Sequence, residues 1–155
     1  MLDKYILDQS QFDWSTILKT WHWLLPTEFT VWFMNRFGDL FIVTDNGSVC
    51  HLHMDDGVYN EVAANKDLFS NVIDEGNNAN EWLYIPLVDK LVSSEVHLQE
   101  SECYGFIKPP VVGGDYTLEN IKPISVSDYI SYLGTFYEQI RDLPDGAKIE
   151  FRVTD

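Results

Sequence analysis

Residues 30–63, TVWFMNRFGDLFIVTDNGSVCHLHMDDGVYNEVA, contain runs of β-favouring residues separated by two turn signals. Asn46-Gly47 and Asp56-Gly57 are dipeptides typical of tight hairpin turns, because glycine readily takes the positive φ that these turns require. The stretch therefore predicts an antiparallel β-meander. Its strands are expected near Leu40–Thr44, Ser48–His53 and Val58–Val62, with an earlier strand around Thr30–Asn35.

An amphipathic helix is expected before the meander. Apolar residues there recur at the i, i+3, i+4, i+7 and i+11 spacing of one helical face. They are Trp14, Ile17, Leu18, Trp21 and Leu25. Asp13 is placed to cap the helix and Pro26 to end it. The pattern predicts a helix over Asp13–Leu25 whose stripe lies in the core, with an aromatic binding face as the alternative.

Two further helical segments are expected after the meander. Asn65 caps the first and Gly76 marks its end. Its predicted buried face consists of Leu68, Phe69, Val72 and Ile73. The second segment, Glu81–Leu91, contains Pro86, so it is expected to be either a helix broken near its middle or two short pieces.

The last helix has the clearest start signal. Ser125 and Asp128 have the spacing of a capping box, in which the acid bonds back towards the cap amide. The predicted apolar face consists of Tyr129, Ile130, Leu133, Tyr137 and Ile140. A turn at Leu143-Pro144-Asp145-Gly146 ends the helix, and residues 147–153 alternate as a final strand, with Ala147, Ile149, Phe151 and Val153 on one side. The sequence thus predicts one α+β domain over residues 1–155, a curved, mainly antiparallel sheet packed with several helices.

Among the composition totals of the chain, the net charge departs most from that of an ordinary soluble protein. The chain has 25 acidic and 10 basic residues, a net charge of −15 at pH 7, and the excess is spread through both halves. Nucleic-acid binding needs a basic footprint, so direct binding of DNA or RNA is disfavoured. An acidic surface instead steers towards a basic protein partner, or it serves solubility alone.

The sequence favours a reduced, cytoplasmic protein. No apolar run approaches the ~18 residues that span a bilayer. The N-terminus lacks the basic start and apolar core of a secretory signal. The two cysteines, Cys50 and Cys103, do not make a disulfide framework.

The stretch GFIKPPVVGGDY, Gly105–Tyr116, has the glycines of a ligand loop without its chemistry. A phosphate-binding P-loop needs Lys and then Ser or Thr after its last glycine, whereas Gly113-Gly114 leads into Asp115. Prolines lack an amide donor, and an aspartate repels an anion. The stretch is therefore expected to be a loop or turn that acts as a rigid connector. It should be extended at Pro109-Pro110 and turn sharply at Gly113-Gly114.

A metal site is the main alternative chemistry. On a strand, His51 and His53 point to the same face and could share one ion, with Asp55, Asp56 or Glu61 completing the set. No third ligand has a recognisable motif spacing, and the same face could be a half-solvated sheet surface. The sequence therefore assigns no metal site and no cofactor.

A nucleophilic enzyme has little support. Cys103 follows Glu102, a neighbour that raises a thiol pKa. The strand–turn–helix nucleophile motif G-x-S-x-G is absent from the sequence. No catalytic residue is assigned.

The order of motifs in the C-terminal half resembles the C-terminal domain family of type VI secretion immunity proteins, the Tdi group. The matching positions are Gly105-Phe106, Pro109-Pro110, Gly113-Gly114-Asp115-Tyr116, Asn120, Val126, Gly134, Gln139-Ile140 and Leu143-Pro144-Asp145-Gly146. Upstream, the Phe-Gly-Asp and glycine-turn pattern of the meander is also similar to the family. The resemblance covers roughly Trp14 to Phe151. It implies an α+β fold and transfers no catalytic residue.

Resemblance and charge together favour a bacterial, cytoplasmic immunity or antitoxin-like protein that is not an enzyme. It would bind and neutralise a secreted effector, a nuclease whose basic cleft an acidic inhibitor can occupy. The candidate partner-binding residues are acids expected in turns: Asp45, Asp55, Asp56, Glu100 and Glu102. The alternatives are a small metal-dependent enzyme using His51 and His53, or a regulatory binding module with another partner. The sequence leaves the oligomeric state open.

Overall fold

The predicted meander forms most of a five-stranded antiparallel sheet in the order β1-β2-β3-β4-β5. The structure, a computed structural model, describes residues 2–143. The strands are β1 Ile6–Leu7, β2 Phe29–Asn35, β3 Leu40–Thr44, β4 Val49–Leu52 and β5 Tyr59–Ala63. The four strands expected from the sequence are confirmed. β1 has no counterpart among the expectations, because two residues are too few to show an alternating pattern.

Both hairpin turns of the meander have the backbone conformation that their glycines indicate. Gly47, between β3 and β4, has φ 90°, and Gly57, between β4 and β5, has φ 74°. The register then places Ile42 opposite Cys50 and Leu40 opposite Leu52. The turn sequences thus fix the register of the central strands.

Five α-helices accompany the sheet within residues 2–143. They are α1 Trp14–Ile17, α2 Lys66–Val72, α3 Asn78–Trp82, α4 Ile85–Ser93 and α5 Val126–Ile140. Short 3-10 turns occur at Leu2–Tyr5, Leu18–Trp21, Pro110–Val112 and Leu118–Asn120. None of the described helices is long and apolar enough to cross a membrane. The mixture of helices and antiparallel strands confirms the expected α+β class.

The sheet has a hydrophobic core on each face. The first core contains Leu40, Ile42 and Leu52 of the sheet together with Ile130 and Leu133 of α5. The second contains Phe41 and Val49 of the sheet, Phe69 of α2, and Val88 and Leu91 of α4. Because both faces are covered, all four residues of β4 are buried and none alternates out to solvent.

The helix expected over Asp13–Leu25 is shorter than predicted. Only Trp14–Ile17 is α-helical, and the chain tightens into the 3-10 turn over Leu18–Trp21. The Asp13 carboxylate accepts hydrogen bonds from the hydroxyls of Ser15 and Thr16 rather than from a backbone amide. The apolar stripe is nevertheless in the core: Ile17, Leu18, Trp21 and Leu25 are buried, and Trp14 packs against them.

The tight turn lets two indoles reach α5. The Trp21 indole donates to the Ile130 carbonyl at 2.8 Å, and the Trp23 indole donates to the Gly134 carbonyl at 3.1 Å. A regular helix over Asp13–Leu25 would separate Trp21 and Trp23 by about 200° around its axis. Contact with α5 therefore overrides the helical periodicity of the segment.

The start of α2 is as predicted, but one face residue is not. Leu68 N donates to the Asn65 side chain at 2.8 Å, and Gly76 has φ 51° just beyond the helix. Phe69 and Ile73 are buried, whereas Leu68 is 46% exposed. The prediction that Leu68 is buried is wrong because the short helix turns only a narrow i, i+4 stripe towards the second core.

Pro86 divides the next segment into two pieces, the second of the two expected forms. α3 ends at Trp82 and α4 begins at Ile85, with Pro86 in its first turn. Proline is tolerated there because the first helical amides have no intrahelical acceptor.

The expectation that Gly105–Tyr116 is entirely loop is wrong at its start. Gly105 and Phe106 end strand β6, Glu102–Phe106, which pairs antiparallel with β7, Ile121–Ser125. A long connection, residues 107–120, separates the two strands, so no short-range turn signal marks the pair. The predicted Ser125 cap of α5 is confirmed by the bond from Asp128 N to Ser125 Oγ at 3.4 Å. Residues 144–155, including the predicted turn and final strand, lie outside the described residues.

Candidate functional site

A polar turn joins β2 to β3 at the boundary of the two cores. The Asn35 side-chain oxygen accepts from Phe37 N at 2.9 Å and from Asp39 N at 3.0 Å. Its amide group donates to the Trp82 carbonyl at 2.8 Å. Gly38 has φ 83°, a conformation that favours glycine. The Phe-Gly-Asp motif of the sequence therefore encodes a turn whose buried amides are satisfied by Asn35.

Asp39 links this turn to the β4–β5 hairpin and is 1% exposed. Asp39 Oδ1 accepts from Met54 N at 2.8 Å, and a 2.9 Å hydrogen bond joins Asp39 Oδ2 to His51 Nε2. Burial raises the pKa of Asp39 and lowers the pKa of His51, because each group is less stable with a charge away from water. Through these buried hydrogen bonds, Asp39 joins the β2–β3 turn to the β4–β5 hairpin.

The two histidines lie on one face of the sheet, as the sequence predicts. Their rings are stacked, with centroids 3.6 Å apart and planes 23° apart. Asp39, His51 and His53 offer ligand atoms within 4.8 Å of one another. However, imidazole nitrogens bind a metal in the plane of the ring at about 2.0–2.1 Å. Two nearly parallel, stacked rings cannot both direct a nitrogen at one ion, so this geometry does not support a shared metal.

The other proposed ligands are already engaged or point elsewhere. Asp55 Oδ2 accepts from the Tyr116 hydroxyl at 2.6 Å, and Asp56 Oδ1 accepts from Val58 N at 3.0 Å. Glu61 is paired with Cys50, so it lies on the opposite sheet face from His51. His53, Asp55 and Asp56 do form a second close group, but they have the ordinary contacts of an acidic turn. The structure therefore brings His53 together with Asp55 and Asp56, but it does not orient the rings of His51 and His53 so that both can bind one ion.

The cysteines do not have the environment of nucleophiles. Cys50 and Cys103 are both buried thiols outside any disulfide. Burial, with a smaller contribution from Asp39 and Glu102, raises the pKa of Cys103. A thiol that stays protonated and inaccessible is a poor nucleophile.

The proline-glycine loop, residues 107–120, is held by Asn120. Asn120 Oδ1 accepts from Lys108 N at 2.9 Å, while its amide group donates at 2.9 Å to the carbonyls of Lys108 and Asp115. A Cβ on Gly114 would lie 1.8 Å from the Lys108 carbonyl oxygen, so only glycine fits there. Gly113 has φ 101°, the positive φ expected from the sequence. The loop is thus a fixed structure closed on itself.

Tyr116 fastens this loop to the β4–β5 hairpin. Its ring packs edge-on against Phe106, with centroids 5.2 Å apart, while its hydroxyl bonds to Asp55. Tyr116 is nonetheless 50% exposed. Sequence reasoning missed this contact because the two residues are 61 positions apart and neither lies in a shared local pattern.

The five acids proposed for partner binding lie in three separate places. Asp45 is exposed in the β3–β4 turn, at the opposite end of β4 from Asp55 and Asp56. Glu100 and Glu102 lie before and at the start of β6, and Glu102 accepts from Gln99 N at 2.7 Å. Only Asp55 and Asp56 adjoin another conspicuous surface feature, the proline-glycine loop.

Comparison with known protein families gives a match over part of the chain. Residues 63–137 match the family model of the type VI secretion system (T6SS) immunity protein Tdi1, C-terminal. The resemblance to type VI secretion immunity proteins is thereby confirmed for that segment, which runs from the end of β5 into α5.

A solved structure has a similar fold. The crystal structure of Atu4351 from Agrobacterium tumefaciens superposes with a TM-score of 0.51 at 17% sequence identity. The similarity covers 86% of this chain and 63% of that chain, so this chain spans less than two thirds of its length. At this identity the likeness concerns the fold alone. No curated protein matches the sequence.

Proposed function

We propose that the protein is a cytoplasmic immunity protein that binds and neutralises a secreted effector, a nuclease, through acidic surface contacts. The match of residues 63–137 to a family of type VI secretion immunity proteins carries this proposal. The description of that family as immunity proteins supports neutralisation of an effector through a direct protein–protein contact.

The charge of the chain supports a nuclease as the target. Nucleic-acid-binding surfaces carry basic residues that neutralise phosphates. A protein with a net charge of −15 is attracted to such a surface and associates faster at low salt. The same charge disfavours direct binding of nucleic acid by the protein itself.

The burial of Cys103 and His51 supports a binding role over an enzymatic one. The buried thiol of Cys103 is held protonated, and the ring of His51 is tied to Asp39. Neither group is accessible for general acid–base or nucleophilic chemistry on a substrate. Cys103 and His51 are therefore used in packing.

The test is a protection experiment in which the products of the neighbouring genes are expressed in turn as the candidate effector. The effector is expressed in a heterologous bacterium with and without this protein, and survival and chromosomal DNA integrity are measured. Protection against cell death and DNA degradation is expected. A catalytically inactive effector serves as the control for toxicity unrelated to nuclease activity. Unchanged killing in the presence of well-expressed protein would overturn the proposal.

The acidic-contact part of the proposal has its own measurement. Binding of the purified protein to the inactive effector is measured by calorimetry at 50 mM and 300 mM salt. Association through charge predicts an affinity that falls by tenfold or more over this range, because exposed charges are screened beyond about 10 Å at 0.1 M salt. Protection with salt-insensitive binding would remove the acidic-contact mechanism and keep the immunity role.

A further inference from the structure

Exposed apolar side chains are concentrated on two adjoining segments. Eight large hydrophobic residues are exposed among the described residues, and four of them lie in the hairpin turn 53–58 or in the loop 107–120. These four are Val58, Ile107, Val111 and Tyr116, which are between 41% and 50% exposed. Single exposed apolar residues are ordinary, but a concentration on neighbouring turns is typical of interaction sites.

Hydrogen bonds close the loop and join it to the hairpin turn. The bond between the Tyr116 hydroxyl and Asp55 joins the loop to the hairpin. The three hydrogen bonds of Asn120 close the loop, and Val112 packs inward against the first core while Val111 remains outside. A surface that is already ordered loses little conformational entropy on binding, which favours affinity.

The charges around these apolar residues are mostly negative. The two segments carry Asp55, Asp56, Asp115 and Glu119 against one basic residue, Lys108. The Lys108 side chain lies back over Gly113, where a Cβ would meet its Nζ at 3.5 Å. Exposed apolar side chains among mostly acidic residues are complementary to a partner that has an apolar projection within a basic surface.

We infer that these two segments, the hairpin turn 53–58 and the loop 107–120, are the surface that binds the effector. We call them the loop–hairpin surface. The assignment rests on the proposed immunity function and adds its location. Val111 and Tyr116 supply the apolar contact, and the exposed acids Asp56 and Asp115 supply the negative charge. Asp45, Glu100 and Glu102 lie outside the contact.

Matched pairs of variants test this location. Val111→Arg places a bulky cation on the loop–hairpin surface, and Val92→Arg places the same residue on α4, where Val92 is equally exposed at 44% against 45%. Asp115→Lys is compared with Glu75→Lys, since both replace an exposed acid and change the net charge by the same two units. Each purified full-length variant is checked by thermal unfolding before its affinity for the inactive effector is measured.

The matched pairs separate the effect of where a substitution lies from the effect of changing the net charge. Val111→Arg weakens binding by at least tenfold relative to Val92→Arg, because it buries a cation against a basic partner. Asp115→Lys weakens binding several-fold more than Glu75→Lys, although both alter long-range attraction equally. Tyr116→Phe removes the hydroxyl bonded to Asp55 and keeps the ring, so it weakens binding only a few-fold, through loss of the link between loop and hairpin.

Three outcomes would overturn the inference, and they are distinguishable. If wild-type protein fails to bind the effector, the immunity function fails and the location with it. If wild-type protein binds and Val111→Arg stays within threefold of Val92→Arg, only the location is wrong. If light scattering shows a wild-type dimer that Val111→Arg converts to a monomer, the loop–hairpin surface belongs to a second copy of the chain.

Discussion

Replacement of Gly134 by alanine sets helix propensity against packing. Gly134 lies within α5, where alanine is favoured over glycine by about 1 kcal/mol. However, a Cβ there would lie 2.2 Å from Thr20 Oγ1 and 2.7 Å from the Thr20 carbonyl oxygen. The side chain of Thr20 cannot simply move away, because its hydroxyl donates to the Ser131 carbonyl at 2.7 Å and the clash also involves backbone.

The structure therefore predicts that Gly134→Ala destabilises the protein. Overpacking of a close contact costs ~1–3 kcal/mol, and loss of the Thr20–Ser131 hydrogen bond adds ~1 kcal/mol. After the gain in helix propensity, a net loss of about 2 kcal/mol remains. For a chain of this size that loss lowers Tm by about 4–8 °C.

The assay is thermal and urea unfolding followed by circular dichroism. Thr135→Ala is the control, since Thr135 is exposed on the same helix and its replacement tests propensity alone. The control is expected to raise Tm slightly, while Gly134→Ala lowers it. A rise in Tm for Gly134→Ala, of the size that propensity gives, would refute the close packing of α5 on the 3-10 turn Leu18–Trp21.

Three further predictions concern the loop 107–120, the buried Asp39–His51 pair and the stacked histidines. Asn120→Ala removes three hydrogen bonds and should make the loop 107–120 a preferred site of limited proteolysis, at a cost of ~1–3 kcal/mol; unchanged cleavage would contradict the role of Asn120. Asp39→Asn should gain stability relative to wild type as pH rises above about 4, by at most about 1.4 kcal/mol per pH unit, because the unfolded wild-type chain loses the Asp39 proton at a lower pH than the folded chain does; parallel pH profiles would contradict the raised pKa. Calorimetric titration of tag-free protein with Zn²⁺ should show no stoichiometric site; tight 1:1 binding lost in His51→Ala would contradict the interpretation of the stacked rings.

The opposing behaviour of His51 does not change the sign of the Asp39 prediction. Burial lowers the pKa of His51, so its contribution to stability is present above pH 6.5 and is lost as pH falls below that value. Asp39 has the opposite dependence, with stability present below its unfolded pKa near 4 and lost as pH rises through its raised folded pKa. Asp39→Asn keeps His51 but removes the carboxylate bonded to His51 Nε2, so the comparison with wild type reports the hydrogen-bonded pair.

The sequence predicted those turns and helix ends that depend on interactions between residues close together in the chain. The hairpin glycines, Gly47 and Gly57, adopt positive φ as their dipeptides indicate. Asn65 and Ser125 cap their helices, and Pro86 starts a new one. In each case the deciding interaction lies within four residues of the signal, so it can be recognised in the sequence.

The features that the sequence did not predict depend on distant contacts. β6 and β7 pair across a long loop, and a strand with Gly105 and its partner strand with Pro123 show little β pattern. The α1 segment departs from a regular helix because its indoles bond to α5. The candidate site has the same origin, since Tyr116 meets Asp55 only in the folded chain.

The division of the aromatic residues between two cores gives the protein separate optical reporters. Trp21 and Trp23 stack at 6.2 Å in the first core, whereas Trp32 and Trp82 each contact Phe69 in the second. A variant that keeps only one of these sets would report fluorescence from one side of the sheet. The same strands supply residues to both cores. Unfolding of one core would therefore also expose the strands on which the other core packs. Both sets of tryptophans should therefore follow a single unfolding transition, and an effector bound at Tyr116 would raise the midpoint seen by each.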